Sequence, residues 1–156
     1  EKLHVSRKLK FEYEREYDNR KERMHDMDDA KLLVDLPLLQ TQLSRALSCD
    51  IREATSNQTI IAAFAVIYKD TINLYRCINE GVMKLLENYF TLELSTAKKV
   101  LDIYREFDGQ TKKLCAFFES AKKLLSKDVG STELKGAPAS FLRALEEFIE
   151  NGGKKG

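Results

Sequence analysis

The sequence predicts an all-α protein built as an elongated, solenoid-like stack of about five antiparallel helices. Three observations predict it. Apolar residues recur every three or four positions along most of the chain, and period-two alternation never extends beyond four residues. Breakers are scarce: two prolines and seven glycines in 156 residues, with four of the glycines after position 130. One helical pattern, from about 56 to 91, would be roughly 50 Å long at a rise of about 1.5 Å per residue, too long for a compact bundle of this mass.

The first predicted helix covers residues 1 to about 23, with Leu3, Leu9, Phe11, Tyr13 and Tyr17 on its apolar side. It opens at Glu1-Lys2-Leu3 without an N-cap, which suggests excision from a longer chain. Asp26 to Asp29 form an acidic linker, in which Asp28 or Asp29 can cap the second helix, about 29 to 48. Pro37 predicts a short first turn, a kink and a restart there. Leu36, Leu39, Leu43 and Leu47 then share one face.

Ser56 or Asn57 caps the third helix, about 56 to 91. Lys69, Asn73, Arg76, Glu80, Lys84 and Glu87 form its narrow polar stripe. Nearly everything else on it is apolar, so neighbours must cover it on two or more sides. Ser95 caps the fourth helix, about 95 to 126, whose stripe is Val100, Leu101, Tyr104, Phe107, Leu114, Phe118, Ala121 and Leu125. The stripe is interrupted at 108–111, and Gly109 marks the expected bend, at a cost of about 0.5–1 kcal/mol relative to Ala. After a loop at 127–137, Pro138 starts a short last helix carrying Phe141, Leu142, Leu145, Phe148 and Ile149. Asn151-Gly152-Gly153 ends it, which divides the chain into one domain, 1–151, and a flexible tail, 152–156.

Lys plus Arg number 26 and Asp plus Glu 25, so a net charge of +1 gives no argument for a nucleic-acid partner. Cys49, Cys77 and Cys115 are odd in number and far apart, and they read as buried free thiols in a reducing compartment. No apolar run approaches the roughly 20 residues of a membrane span, and no signal peptide is present, so a cytoplasmic protein is expected.

His4 and His25 have no Cys or acidic residue at a metal-site offset, and no metal site is expected. The i,i+4 acidic pairs Asp102/Glu106 and Glu146/Glu150 read as solvated faces. With no glycine-rich phosphate loop and no GxSxG, the chain carries no catalytic residue, binds no cofactor and is not an enzyme. The basic residues Arg7, Lys8 and Lys10 are interleaved with acids on the first predicted helix, which suits an ion-paired surface. They are also the weak candidates for contact with an anionic membrane.

Several segments carry a family likeness: Leu36-Pro37-Leu38-Leu39-Gln40-Thr41-Gln42, then Ala62-Ala63-Phe64 with Tyr68-Lys69-Asp70 and Asn79-Glu80-Gly81. Leu101-Asp102-Ile103-Tyr104 and Ala137-Pro138-Ala139-Ser140-Phe141-Leu142 complete them. Together they resemble the distal, C-terminal half of an ANTH domain, the phosphoinositide- and clathrin-adaptor module of the clathrin assembly protein (CALM) family. Lys31-Leu32-Leu33-Val34-Asp35-Leu36 is not a clathrin box, because Asp35 stands where an apolar residue is needed.

The resemblance implies an intact adaptor that links clathrin, membranes containing phosphatidylinositol 4,5-bisphosphate and R-SNARE cargo at coated pits and vesicles. The plasma membrane and the Golgi are the expected sites. It further implies that the family's lipid site lies upstream of Glu1 and that its clathrin-binding motifs lie in a C-terminal region outside this chain. What remains is a groove for an R-SNARE helix, a helix-in-groove mode of binding. Ile67 and Leu92 match the groove, and the terminal helix, with Phe141, Leu145 and Phe148, matches an element that fills it when the partner is absent. Membrane-surface binding through the first helix and self-association of the truncated stack are the rival readings.

Overall fold

A computed structural model describes residues 27–49, 57–125, 134 and 138–153. These comprise α1 (Asp29–Leu47), α2 (Gln58–Glu87), a 3₁₀ turn (Tyr89–Thr91), α3 (Leu94–Leu125) and α4 (Ala139–Glu150). All regular structure among the described residues is helical. The first predicted helix, the loop after α3 and the last three residues lie outside them.

Local chemistry sets the helix ends. Asp28 caps α1 by accepting the Ala30 N–H at 3.3 Å, and Asn57 caps α2 by accepting the Thr59 N–H at 2.9 Å. The third helix therefore starts at its predicted cap but ends earlier than the pattern suggested, at Glu87. Leu92 N–H donates to the Tyr89 carbonyl, closing a 3₁₀ turn that redirects the chain into α3. Helix α3 begins at Leu94, so Ser95 lies within its first turn rather than at its cap.

Three expected irregularities are corrected. Helix α1 is a single element through Pro37, without a break or restart. The ring of Pro37 is exposed, while Leu32, Leu36, Leu39 and Leu43 are all fully buried. Burial of that row offsets the missing amide donor. Helix α3 is likewise a single element through Gly109, where an added Cβ would meet nothing within 4 Å. The third correction concerns the supposed interruption at 108–111. Gln110 and Thr111 are 1% and 4% exposed, so the buried stripe runs through two polar side chains.

Helices α1, α2 and α3 pack on one another around a shared core. Helices α2 and α3 run antiparallel: Phe64 meets Phe117 and Tyr75 meets Phe107, each at 5.5 Å between ring centroids. Helix α1 runs alongside α3 in the same direction, with Gln40 bonded to Ile103 and Ser44 to Gln110. Gly81 is where α1 meets α2, since a Cβ there would stand 2.8 Å from Leu36 Cδ2. Only glycine permits that approach without moving a fully buried leucine.

A polar network crosses this core. Gln40 Nε2 donates to the Ile103 carbonyl at 2.9 Å, and Gln110 Nε2 donates to the Gln40 carbonyl at 2.6 Å and to Ser44 Oγ at 2.7 Å. Thr111 Oγ1 gives its proton to the Phe107 carbonyl, so the 3.1 Å contact with Tyr75 is donated by the phenol. The network fixes the register of α1 against α3, because a one-residue slide would leave these buried groups unpaired.

The cysteine expectation is corrected in part. All three thiols are free, but only Cys77 is buried; Cys49 and Cys115 are exposed.

Candidate functional site

Helix α4 lies antiparallel on the N-terminal half of α3 and against the 3₁₀ turn that follows α2. Its apolar positions at i, i+4 and i+7, namely Phe141, Leu145 and Phe148, face inward. The Phe141 ring meets Tyr104 edge-on at 5.4 Å. Leu145 is fully buried, and its carbonyl accepts the Tyr89 hydroxyl at 2.9 Å. Phe148 packs on both Tyr89 and Phe90, each at 5.3 Å. On the rim, Arg105 Nε and Nη2 both donate to Glu146 Oε1, at 3.2 and 2.9 Å.

The C-terminus of α4 is anchored by its glycines. Gly152 and Gly153 have φ of 81° and 79°, the left-handed region that favours glycine. Gly153 N–H donates to the Phe148 carbonyl and Gly152 N–H to that of Ile149, the two bonds of a Schellman cap. Gly153 is buried against Leu94, where a Cβ would stand 3.5 Å from Leu94 Cδ1. The first two residues of the predicted tail thus complete the last helix and seat it on the start of α3.

Burial pushes the Tyr89 phenol above its usual range, opposed in part by the Arg105 charge. Burial raises Tyr104 as well, and the nearby Asp108 and Tyr75 act in the same direction. Both phenols are therefore neutral donors or apolar surfaces near neutral pH. No group of three or more His, Cys, Asp or Glu able to hold a metal occurs among the described residues. No described helix is long and apolar enough to cross a membrane.

The two expected groove residues are not at one place. Leu92 follows the 3₁₀ turn, is half-buried and packs on the core beside the α4 contacts. Ile67 lies on the N-terminal half of α2, half-buried like Leu92 but outside the core cluster. Twenty residues of helix separate Ile67 from Glu87 alone, or about 30 Å. Ile60 and Val66, which are 46% and 62% exposed, flank Ile67. Phe141, Leu145 and Phe148 are brought together at the Leu92 end only. Arg7, Lys8 and Lys10 lie outside the described residues.

Sequence reasoning missed Tyr89, Tyr104 and Arg105 as the partners of α4. The i,i+3/i,i+4 rule identifies an apolar face but not the surface opposite it.

The sequence matches a known family. The ANTH domain family model matches residues 1–151. The human phosphatidylinositol-binding clathrin assembly protein is 33% identical over 127 residues, covering 81% of this chain and 20% of that protein. A putative clathrin assembly protein of Arabidopsis thaliana is 32% identical over 161 residues, covering 97% of this chain and 23% of its own length. The human clathrin coat assembly protein AP180 is 31% identical over 150 residues, 96% of this chain and 16% of that protein. The chain belongs to the ANTH domain family, and it spans about a fifth of the length of these curated relatives.

Proposed function

We propose that this chain is the scaffold half of a non-enzymatic clathrin adaptor. The single observation that carries this reading is the family match across 1–151, together with relatives whose names join clathrin assembly to phosphatidylinositol binding. The intact protein links clathrin and phosphatidylinositol 4,5-bisphosphate membranes as a peripheral protein of coated pits and vesicles. Its direct task in this half is to receive an R-SNARE helix.

Two features support a groove for that helix. Ile67, Ile60 and Val66 present apolar surface along the N-terminal half of α2, and α4 covers apolar surface at the other end with a single fully buried side chain of its own. A partner helix of about 20 residues would run along α2 from Ile67 to its end at Glu87, next to the turn that carries Leu92. Titrating an R-SNARE peptide against the wild type, Ile67→Ser and Leu92→Lys tests the assignment. Weaker binding in both variants, with helicity retained, is expected. Equal affinity in all three would remove the groove.

The exposed Ile60 and Val66 also favour a second reading, self-association through α2. Light scattering separates the two, because a Val66→Ser variant would then lose a dimer that the wild type forms.

A further inference from the structure

We propose that the C-terminal half of α3 is a second membrane contact, one that rests on an anionic lipid surface. Charge is unevenly distributed along α3. From Leu94 to Asp108, Lys98, Lys99 and Arg105 balance Asp102, Glu106 and Asp108. From Gly109 to Leu125, Lys112, Lys113, Lys122 and Lys123 face a single acid, Glu119, a net charge of +3 against +1 for the whole chain.

These lysines are available. All four are exposed. Among the described residues, Lys112 and Lys122 pair with acids of α3 itself, Asp108 at 2.7 Å and Glu119 at 3.2 Å. Lys113 and Lys123 have no acidic partner among the described residues. Leu114, Phe117, Phe118 and Ala121 turn the opposite side of this half into the core. The outward face between the lysines carries the small side chains Ala116 and Ser120, the exposed Cys115 and the single acid Glu119, so four cations outnumber one acid along about 16 Å of helix.

The shape and chemistry favour a membrane over a protein. This face has no large apolar anchor of the kind that carries affinity between proteins. It has no arginine fork to clasp a single phosphate. A row of flexible, compact cations suits a diffuse negative surface, which lysines within a Debye length feel without fitting any one headgroup. The contact shares no residue with the proposed partner-helix groove, whose candidates Ile67 and Leu92 lie on α2 and after the 3₁₀ turn.

Sedimentation of the full chain with phosphatidylcholine vesicles, with and without phosphatidylserine, tests this in the absence of clathrin or a SNARE. Binding to the anionic vesicles alone, lost as salt is added, is expected. Each lysine removed lowers partitioning about five-fold, so Lys113→Ala/Lys123→Ala lowers it about 25-fold at unchanged melting temperature. Replacing phosphatidylserine by phosphatidylinositol 4,5-bisphosphate at equal surface charge leaves the affinity unchanged. The proposal is overturned if the double variant binds like the wild type, or if Arg7→Ala/Lys8→Ala/Lys10→Ala alone removes all binding. Salt-sensitive self-association without lipid, abolished by the same lysine changes, would also overturn it by assigning the face to a second copy. Failure of SNARE binding would leave this result untouched.

Discussion

Helices α1, α2 and α3 and the short helix α4 are both held by apolar burial, but they are held differently. In the three-helix group each member touches the other two, and a buried polar network fixes their register. Helix α4 touches the rest along one side, buries one residue fully, and adds a phenol–carbonyl bond, a rim ion pair and a glycine cap. The difference teaches that cooperativity follows from shared neighbours. A helix with contacts on one face can leave without unmaking the group it leaves.

The widest separation comes from two leucine deletions. Leu39→Ala, in the middle of α1, is expected to destabilise the whole chain by about 2–5 kcal/mol in denaturant unfolding. Leu145→Ala removes a side chain that is equally buried, yet it should chiefly release α4. Hydrogen exchange would rise in 139–150 while α2 and α3 keep their protection. Global loss of protection in Leu145→Ala would merge the two regions into one cooperative unit.

A smaller effect is expected from the network. Gln110→Ala loses two hydrogen bonds and leaves Ser44 and a helix carbonyl without their donor, for about 1–3 kcal/mol. An unchanged denaturation midpoint would show that packing alone sets the α1/α3 register.

Tyr89→Phe probes the other side of the comparison. It keeps the ring contact with Phe148 and loses the bond to the Leu145 carbonyl, at about 0.5–1.5 kcal/mol of α4 docking. The same residue carries a pH dependence. Burial raises the Tyr89 phenol, so its contribution is complete below the unfolded value of about 10. That contribution is lost as pH rises through the folded value. Alkaline release of α4, followed by exchange or circular dichroism, should be weaker in Tyr89→Phe. Arg105→Ala is expected to do least, below about 1 kcal/mol, because the pair with Glu146 sits on a half-exposed rim.

Much of the scaffold was legible in the sequence. The rows Leu36, Leu39, Leu43 and Val100, Leu101, Tyr104, Phe107 are buried as their spacing predicts. Asn57 was recognisable as a cap because its side chain suits an extended residue before a helix. The segment around Gly109 was misread because hydrophobic periodicity counts apolar residues only. Gln110 and Thr111 continue the stripe by bonding across it, a property of the neighbouring helix. Pro37 was misread because breaking power is a local cost, and four fully buried leucines around it outweigh that cost. At the candidate site, Phe141, Leu145 and Phe148 could be read as one face. Their partners follow from tertiary geometry that no local pattern encodes, whereas the separation of Ile67 from the end of its helix follows from residue count and helical rise alone.

On the proposed function, α4 is a separable cover over a partner-binding scaffold. Deleting residues 138–156 and titrating the same R-SNARE peptide tests it most directly. The account predicts higher affinity than in the full chain, with the helicity of α1, α2 and α3 preserved. Unchanged affinity, or collapse of the three-helix group on deletion, would contradict it.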